Sequence, residues 1–187
     1  EKYYKKEVLI LGFGITGLSV VSLLKKAKCN IYIWDDNFEK LNKKNIKGVN
    51  AYNAENKKID DFNFIFVSPG IEKNHFLLTK ARKKNITITN DIELYWELKE
   101  LEKKKSTLIG ITGTNGKSTI ALMISNVLKT KPLGNYGNPI LKFITKKDSK
   151  QVIELSSFQL DYINKFKPKI SIISNIDKDH ILHHKTF

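Results

Sequence analysis

Thr107-Leu-Ile-Gly-Ile-Thr-Gly-Thr-Asn-Gly-Lys-Ser-Thr-Ile-Ala-Leu-Met-Ile124 decides the fold of this chain. Its first five residues form an apolar run of strand length, and Ile120 to Ile124 open an apolar helical face. The glycine-rich turn between them joins a strand to a helix. Such a turn aims successive backbone N–H groups at one spot, and the positive end of the helix adds attraction for phosphate. Gly113, Thr114, Asn115, Gly116, Lys117, Ser118 and Thr119 are therefore the candidate residues for holding a nucleoside triphosphate. Lys117 reaches for the terminal phosphates, and the Ser118 hydroxyl is a ligand for the Mg²⁺ that bridges them. The general pattern places a glycine five residues before Gly116. Ile111 stands there, with Gly110 and Gly113 on either side.

Upstream, the same grammar appears once more. Glu7-Val-Leu-Ile-Leu11 reads as a buried strand running into Gly12-Phe-Gly-Ile-Thr-Gly17, with a helix after it whose apolar side holds Leu18, Val21, Leu23 and Leu24. Asn30–Trp34, Phe62–Val67 and Ile86–Thr89 read as further strands, and His75–Lys84 as a helix. Strands alternating with helices predict a parallel, doubly wound sheet. A helix capped by Asp91 runs to about Lys105, where three lysines suit the negative end of its dipole. Taken alone, Gly12-x-Gly14-x-x-Gly17 with Asp35 ending the next strand reads as a dinucleotide site, Asp35 bonding the ribose hydroxyls. A second phosphate-binding half, rather than a substrate domain, follows it, which argues against a nicotinamide-dependent dehydrogenase.

Downstream, Leu133–Pro139 is a turn-rich loop, and Gln151–Leu155 and Lys169–Ser174 are strands. In parallel sheets, ligands gather outside the carboxyl ends of the strands. Glu154, Ser156, Asn175 and His180 fall at such ends, beside the phosphate turn. The predicted fold class is α/β: an N-terminal Rossmann-like parallel-sheet domain over residues 1–90, a connecting helix over 91–106, and a P-loop α/β domain over 107–187.

Composition bounds the function. The 187 residues carry a formal charge of +14, yet of 33 basic residues only Arg82 is arginine. Proteins that read bases or fork phosphates favour arginine. Lysines spread over nearly every helix and loop point to solvated faces, not to a nucleic-acid partner. No apolar stretch nears the roughly 20 residues needed to span a bilayer, so no membrane partner is expected. The lone Cys29 allows no internal disulfide and suits a reducing, cytoplasmic setting.

Gly113-Thr-Asn-Gly-Lys-Ser-Thr119, Gly134-Asn-Tyr-Gly137, Glu154-Leu-Ser-Ser-Phe-Gln-Leu160 and Asn175-Ile-Asp-Lys-Asp-His180, in this order, resemble the Mur ligases of peptidoglycan synthesis. The string from Glu154 to Leu160, with Gly12–Gly17 and Ser68-Pro-Gly-Ile71, is similar to the branch that adds D-glutamate to UDP-N-acetylmuramoyl-L-alanine. The resemblance spans essentially the whole chain. It implies that ATP phosphorylates the substrate carboxylate to an acyl phosphate, which the amine of D-glutamate attacks to give an amide, ADP and phosphate. Mg²⁺ and a lysine lower the repulsion between the anions that meet.

Carried over by motif, Lys117, Glu154 and His180 are implied to be catalytic, with Ser118, Glu154 and His180 on the metal. Asn135, Ser156 and Gln159 are implied to contact the muramoyl or diphosphate portion, and Gly14, Ile15, Thr16, Asp35 and Gly70 to enclose the UDP. The expected alternatives are another member of the family, or a UDP-sugar or NAD-binding module without ligase activity. A bacterial, cytoplasmic monomer is expected. His75, His183 and His184 match no motif and are read as solvent-exposed. Two departures stand out within the chain: Asp36-Asn37 replaces the Thr-Arg-like pair usual after the acidic strand end, and the short stretch from Leu128 to Gly134 predicts loss of the small strand found there. The family's carbamylated lysine, adenine-binding segment and C-terminal domain are expected beyond Phe187. The chain is accordingly read as part of a longer enzyme, inactive alone and bearing an unpaired sheet edge.

Overall fold

Strand β1 (Glu7–Leu11) is the centre of a five-stranded sheet in the first of two units, Glu1–Asp91. The computed structural model describes residues 2–37, 46–101, 106–134, 137–144 and 150–178. Around β1 lie β2 (Asn30–Trp34), β3 (Val49–Ala51), β4 (Phe64–Val67) and β5 (Thr87–Thr89), in the order β3-β2-β1-β4-β5 with every pairing parallel. Val8 to Leu11 are at most 1% exposed. A central parallel strand is covered on both faces, and for that reason it reads as an unbroken apolar run. Helix α1 (Ile15–Lys26) buries Val20, Val21 and Leu24, and α2 (Phe76–Lys83) buries Leu77, Leu78 and Ala81. Each large apolar side chain taken from water contributes about 1.5–3 kcal/mol.

The other side of β2 faces an aromatic layer. Trp34 meets Tyr52 and Phe76 edge-on, and Phe62 meets both Tyr32 and Tyr52. At the start of β1, Glu7 pairs with Lys57 at 2.9 Å and accepts from the Asn30 amide at 2.7 Å. Burial works against the Glu7 charge, but Lys57 and Asn30 hold its carboxyl below the usual range.

The second unit, Ile92–Phe187, carries a four-stranded parallel sheet of β6 (Thr107–Thr112), β7 (Pro132–Gly134), β8 (Lys150–Glu154) and β9 (Ile170–Ile173), in the order β7-β8-β6-β9. Helix α3 (Asp91–Glu100), read from sequence as a connection, packs from Ile92 onward inside this unit. Its Glu93 carboxylate accepts the N–H groups of Asn164, Lys165 and Phe166 at 2.7–2.8 Å, and Tyr95 donates to Gln151. Helix α4 (Lys117–Val127) sets Ala121 against Ile109, Ile111 and Val152. A short helix α5 (Ser157–Leu160) follows β8.

The expected loss of the small strand after Leu128 is overturned, because β7 pairs with β8 there. Three residues suffice: Pro132 opens an edge strand, where its missing N–H costs no ladder bond, and Gly134 (φ +92°) brings the backbone close to Glu154. Strand β3 is likewise absent from the sequence reading. At the other edge, among the described residues β9 pairs with β6 only, and Ile170 and Ile173 are 47% and 61% exposed. No helix among the described residues is long and apolar enough to cross a membrane.

Candidate functional site

In the second unit the Gly113–Gly116 turn lies at the carboxyl end of β6, between the ends of β8 and β9. Gly116, at φ +80°, caps α4, and among the described residues no side chain caps that helix start. The first N–H groups of a helix have no partner within it, so this end of α4 is disposed toward an anion. Lys117 folds back and donates to the carbonyls of Gly113 and Thr114, each at 2.7 Å. Its ammonium therefore sits over the turn it would serve.

Beside it, the Ser118 hydroxyl donates to Glu154 Oε1 at 3.1 Å. Glu154 ends β8, directly across from Ile111 and Gly134, and is 1% exposed. Mg²⁺ binds hard oxygens octahedrally at about 2.1 Å, which sets adjacent ligands about 3 Å apart. A hydroxyl and a carboxylate 3.1 Å apart fit two neighbouring positions on one such ion. Among the described residues no three His, Cys, Asp or Glu side chains surround a common point. His180 and Asn135, both inferred from sequence, lie outside the described residues, as do His183 and His184.

Ser156 and Gln159 engage each other. The Ser156 N–H donates to Gln159 Oε1 at 3.0 Å and the Gln159 N–H to Ser156 Oγ at 3.3 Å, closing a capping box on α5. Their first duty is to fix the turn leaving Glu154. Asn175, placed from sequence at a strand end beside this turn, bonds directly to it, as do Ser174 and Asp177, which the sequence reading did not single out.

In the first unit, Gly14, Ile15, Thr16, Asp35 and Gly70 come together at the carboxyl ends of β1, β2 and β4. A Cβ on Gly12 would stand 2.8 Å from Ser68 Cβ, and one on Gly17 would stand 2.1 Å from the Gly12 carbonyl oxygen. Close packing demands both glycines. Gly14 and Gly70 instead face open space. Asp35 Oδ2 accepts the Phe13 N–H at 2.7 Å and Oδ1 the Asn37 N–H at 3.0 Å. It thus holds the glycine turn and its own loop in place.

The reading of His75 as solvent-exposed is corrected by the structure: its side chain is 9% exposed. Nδ1 accepts the Leu77 N–H at the start of α2, the ring packs on Phe76, and Nε2 lies 3.3 Å from Asp36. The Trp34 indole N–H, and then His75, hold the Asp36 carboxyl below its ordinary range against the opposing effect of burial. A side chain that caps a helix and pairs with a carboxylate leaves solvent for reasons that no motif records.

Two family descriptions match this chain: "Mur ligase MurD-like, N-terminal domain" over residues 6–90, and "Mur ligase middle domain" over residues 111–187. Curated relatives include the UDP-N-acetylmuramoylalanine–D-glutamate ligases of Rickettsia bellii and Wolbachia pipientis, 38% and 37% identical over 97% and 98% of this chain. The chain spans 40% and 37% of those proteins' lengths. Among solved structures, UDP-N-acetylmuramate-alanine ligase of Thermotoga maritima aligns at a TM-score of 0.50 and 22% identity, over 97% of this chain and 44% of that one. At that identity the likeness speaks for the fold.

Proposed function

The chain belongs to the Mur ligase family, and on that premise we propose that it binds the UDP-substrate and the nucleotide in an enzyme that joins D-glutamate to UDP-N-acetylmuramoyl-L-alanine. The branch is inferred from the relatives, which carry that name. The single observation that carries the chemistry is the Ser118–Glu154 pair, 3.1 Å apart at the open end of α4.

An amine cannot displace a carboxylate oxygen directly. The substrate carboxylate therefore attacks the terminal phosphorus of ATP, ADP leaves, and an acyl phosphate forms. The amine of D-glutamate then attacks the acyl carbon, and phosphate departs with the C–O bond electrons. Lys117, released from the carbonyls of Gly113 and Thr114, meets the charge that grows on the transferred phosphoryl oxygens. The N–H groups at the start of α4 orient the phosphate chain. Ser118 and Glu154 would hold a Mg²⁺, which when bound screens the repulsion between the two anions. Ser156, Gln159 and Asn135 would line the muramoyl side, and His180 would assist with metal. In the first unit Gly14, Ile15, Thr16, Asp35 and Gly70 would enclose the UDP portion.

This reading carries with it a monomer acting in the bacterial cytoplasm in peptidoglycan precursor synthesis, without nucleic-acid or membrane partners. Calorimetric titration with UDP-N-acetylmuramoyl-L-alanine and, separately, with MgATP tests it. Both ligands are expected to bind, and Glu154→Gln is expected to weaken MgATP at least tenfold while sparing the UDP ligand. Failure of the wild-type chain to bind either ligand, or an unchanged MgATP affinity in Glu154→Gln, overturns it.

A further inference from the structure

The turn from Gly113 to Asn115 is sewn to the segment that leaves β9. Ser174 N–H extends the β6–β9 ladder by donating to the Thr112 carbonyl at 2.9 Å. Its hydroxyl lies 2.6 Å from the Asn115 carbonyl and 3.3 Å from that of Thr112. The Thr114 N–H donates to the Asn175 carbonyl at 3.1 Å, and the Asn115 N–H to Asn175 Oδ1 at 2.8 Å. The Thr114 hydroxyl takes the Asp177 N–H at 3.0 Å and gives its own proton to the Asp177 carbonyl at 3.2 Å. The approach is so close that a Cβ on Gly113, at φ +135°, would stand 2.1 Å from Ser174 Oγ.

A backbone N–H is a single donor. With those of Thr114 and Asn115 given to Asn175, they cannot also serve a phosphate. The donors left over are the ones that open α4, from Gly116 to Thr119, which no side chain caps among the described residues. We propose that Ser174, Asn175 and Asp177 are positioning residues that clasp the turn through Thr112, Thr114 and Asn115, so that the backbone donors left to the phosphate chain are the N–H groups of residues 116–119. The neutral amide of Asn175 suits this place, since it accepts an N–H beside the polyphosphate without adding a negative charge. The clasp rests on reading this turn as the nucleotide site.

Titration of the ¹⁵N-labelled chain with magnesium tripolyphosphate, followed by amide NMR, tests the inference without any substitution. The amides of Gly116, Lys117, Ser118 and Thr119 are expected to shift, and those of Thr114 and Asn115 to stay near their unliganded positions. Thr114→Val, which keeps shape but loses both hydroxyl bonds, is expected to bind tripolyphosphate about tenfold more weakly, equivalent to about 1.4 kcal/mol, with Thr114→Ser restoring affinity to within about twofold. If the wild type binds but the Thr114 and Asn115 amides move with the ligand, or Thr114→Val binds as tightly as wild type, the clasp is overturned and the nucleotide site stands. If the wild type binds no tripolyphosphate, the nucleotide reading falls and the clasp with it.

Discussion

The two glycine turns of this molecule are built alike and charged differently. In each unit a buried strand runs into a glycine turn and then a helix whose cap is a glycine, Gly14 in the first and Gly116 in the second. In each, an N–H of the turn is given to a side chain in the loop after a neighbouring strand. The acceptor is the Asp35 carboxylate in the first unit and the Asn175 amide in the second. The second turn also has Lys117 folded over it, and the first has no lysine in Gly12–Gly17. A carboxylate beside the turn favours ligand groups that donate protons, such as ribose hydroxyls or a base N–H. An amide and an ammonium favour a polyphosphate. One backbone device is thus set in two different electrostatic surroundings by the side chains beside it.

The largest expected effect comes from glycines that differ in surroundings. Gly17→Ala places a Cβ 2.1 Å from a carbonyl oxygen of the same turn, and a loss of about 3 kcal/mol or more is expected, at the top of the overpacking range. Gly14→Ala meets nothing within 4 Å and should change stability by less than about 0.5 kcal/mol. Urea denaturation of the two variants checks the contrast, and equal losses would show that the turn does not pack as described.

Next in size is Lys117→Ala. Charge-assisted bonds to phosphate are each worth about 1.5–3 kcal/mol, so MgATP should bind about 10- to 150-fold more weakly. The affinity for the UDP-substrate should not change. A calorimetric comparison of the two ligands decides whether the lysine separates the two turns.

Exchanging the acceptors sharpens the comparison further. Asn175→Asp keeps an oxygen for the Asn115 N–H but brings a negative charge to that turn, and MgATP should weaken about fivefold, near 1 kcal/mol for unit charges about 4 Å apart at the dielectric of water. Asp35→Asn keeps an oxygen for the Phe13 N–H and should weaken the UDP-substrate by a similar factor, because a neutral oxygen accepts less strongly. Tighter binding in either variant would contradict the charge assignment.

The smallest effect is a pH dependence confined to the first unit. The folded pKa of Glu7 lies below its ordinary 4.5. Its contribution is therefore present above that value and is lost as pH falls through the folded pKa. With side chains 27% and 18% exposed for Glu7 and Lys57, the pair is worth less than about 1 kcal/mol. Lys57→Met should flatten the drop in melting temperature between neutral and acidic pH. An unaltered drop would assign it to other carboxylates.

Much of this was legible in the sequence, for physical reasons that differ by element. β1 and β6 announce themselves because a strand covered on both faces is an unbroken apolar run. β3 and β7 do not, since Val49-Asn-Ala51 and Pro132-Leu-Gly134 are three-residue edges whose pairing is decided by their neighbours. The glycine turns and Glu154 stand out through local spacing. The bonds from Ser174 and Asp177 were invisible, because they depend on β9 lying beside β6 across some sixty residues of chain. The covering of His75 likewise depends on Asp36, far from it in sequence.

The proposed divalent-ion site lies between Ser118 and Glu154 in the second unit. Titrating the ¹⁵N-labelled chain with ATP and trace Mn²⁺, a paramagnetic substitute for Mg²⁺, tests it most directly. Amide broadening is expected to centre on Ser118 and Glu154 and to disappear in Glu154→Gln. Broadening centred on the Gly12–Gly17 turn, or unchanged by that substitution, would contradict it.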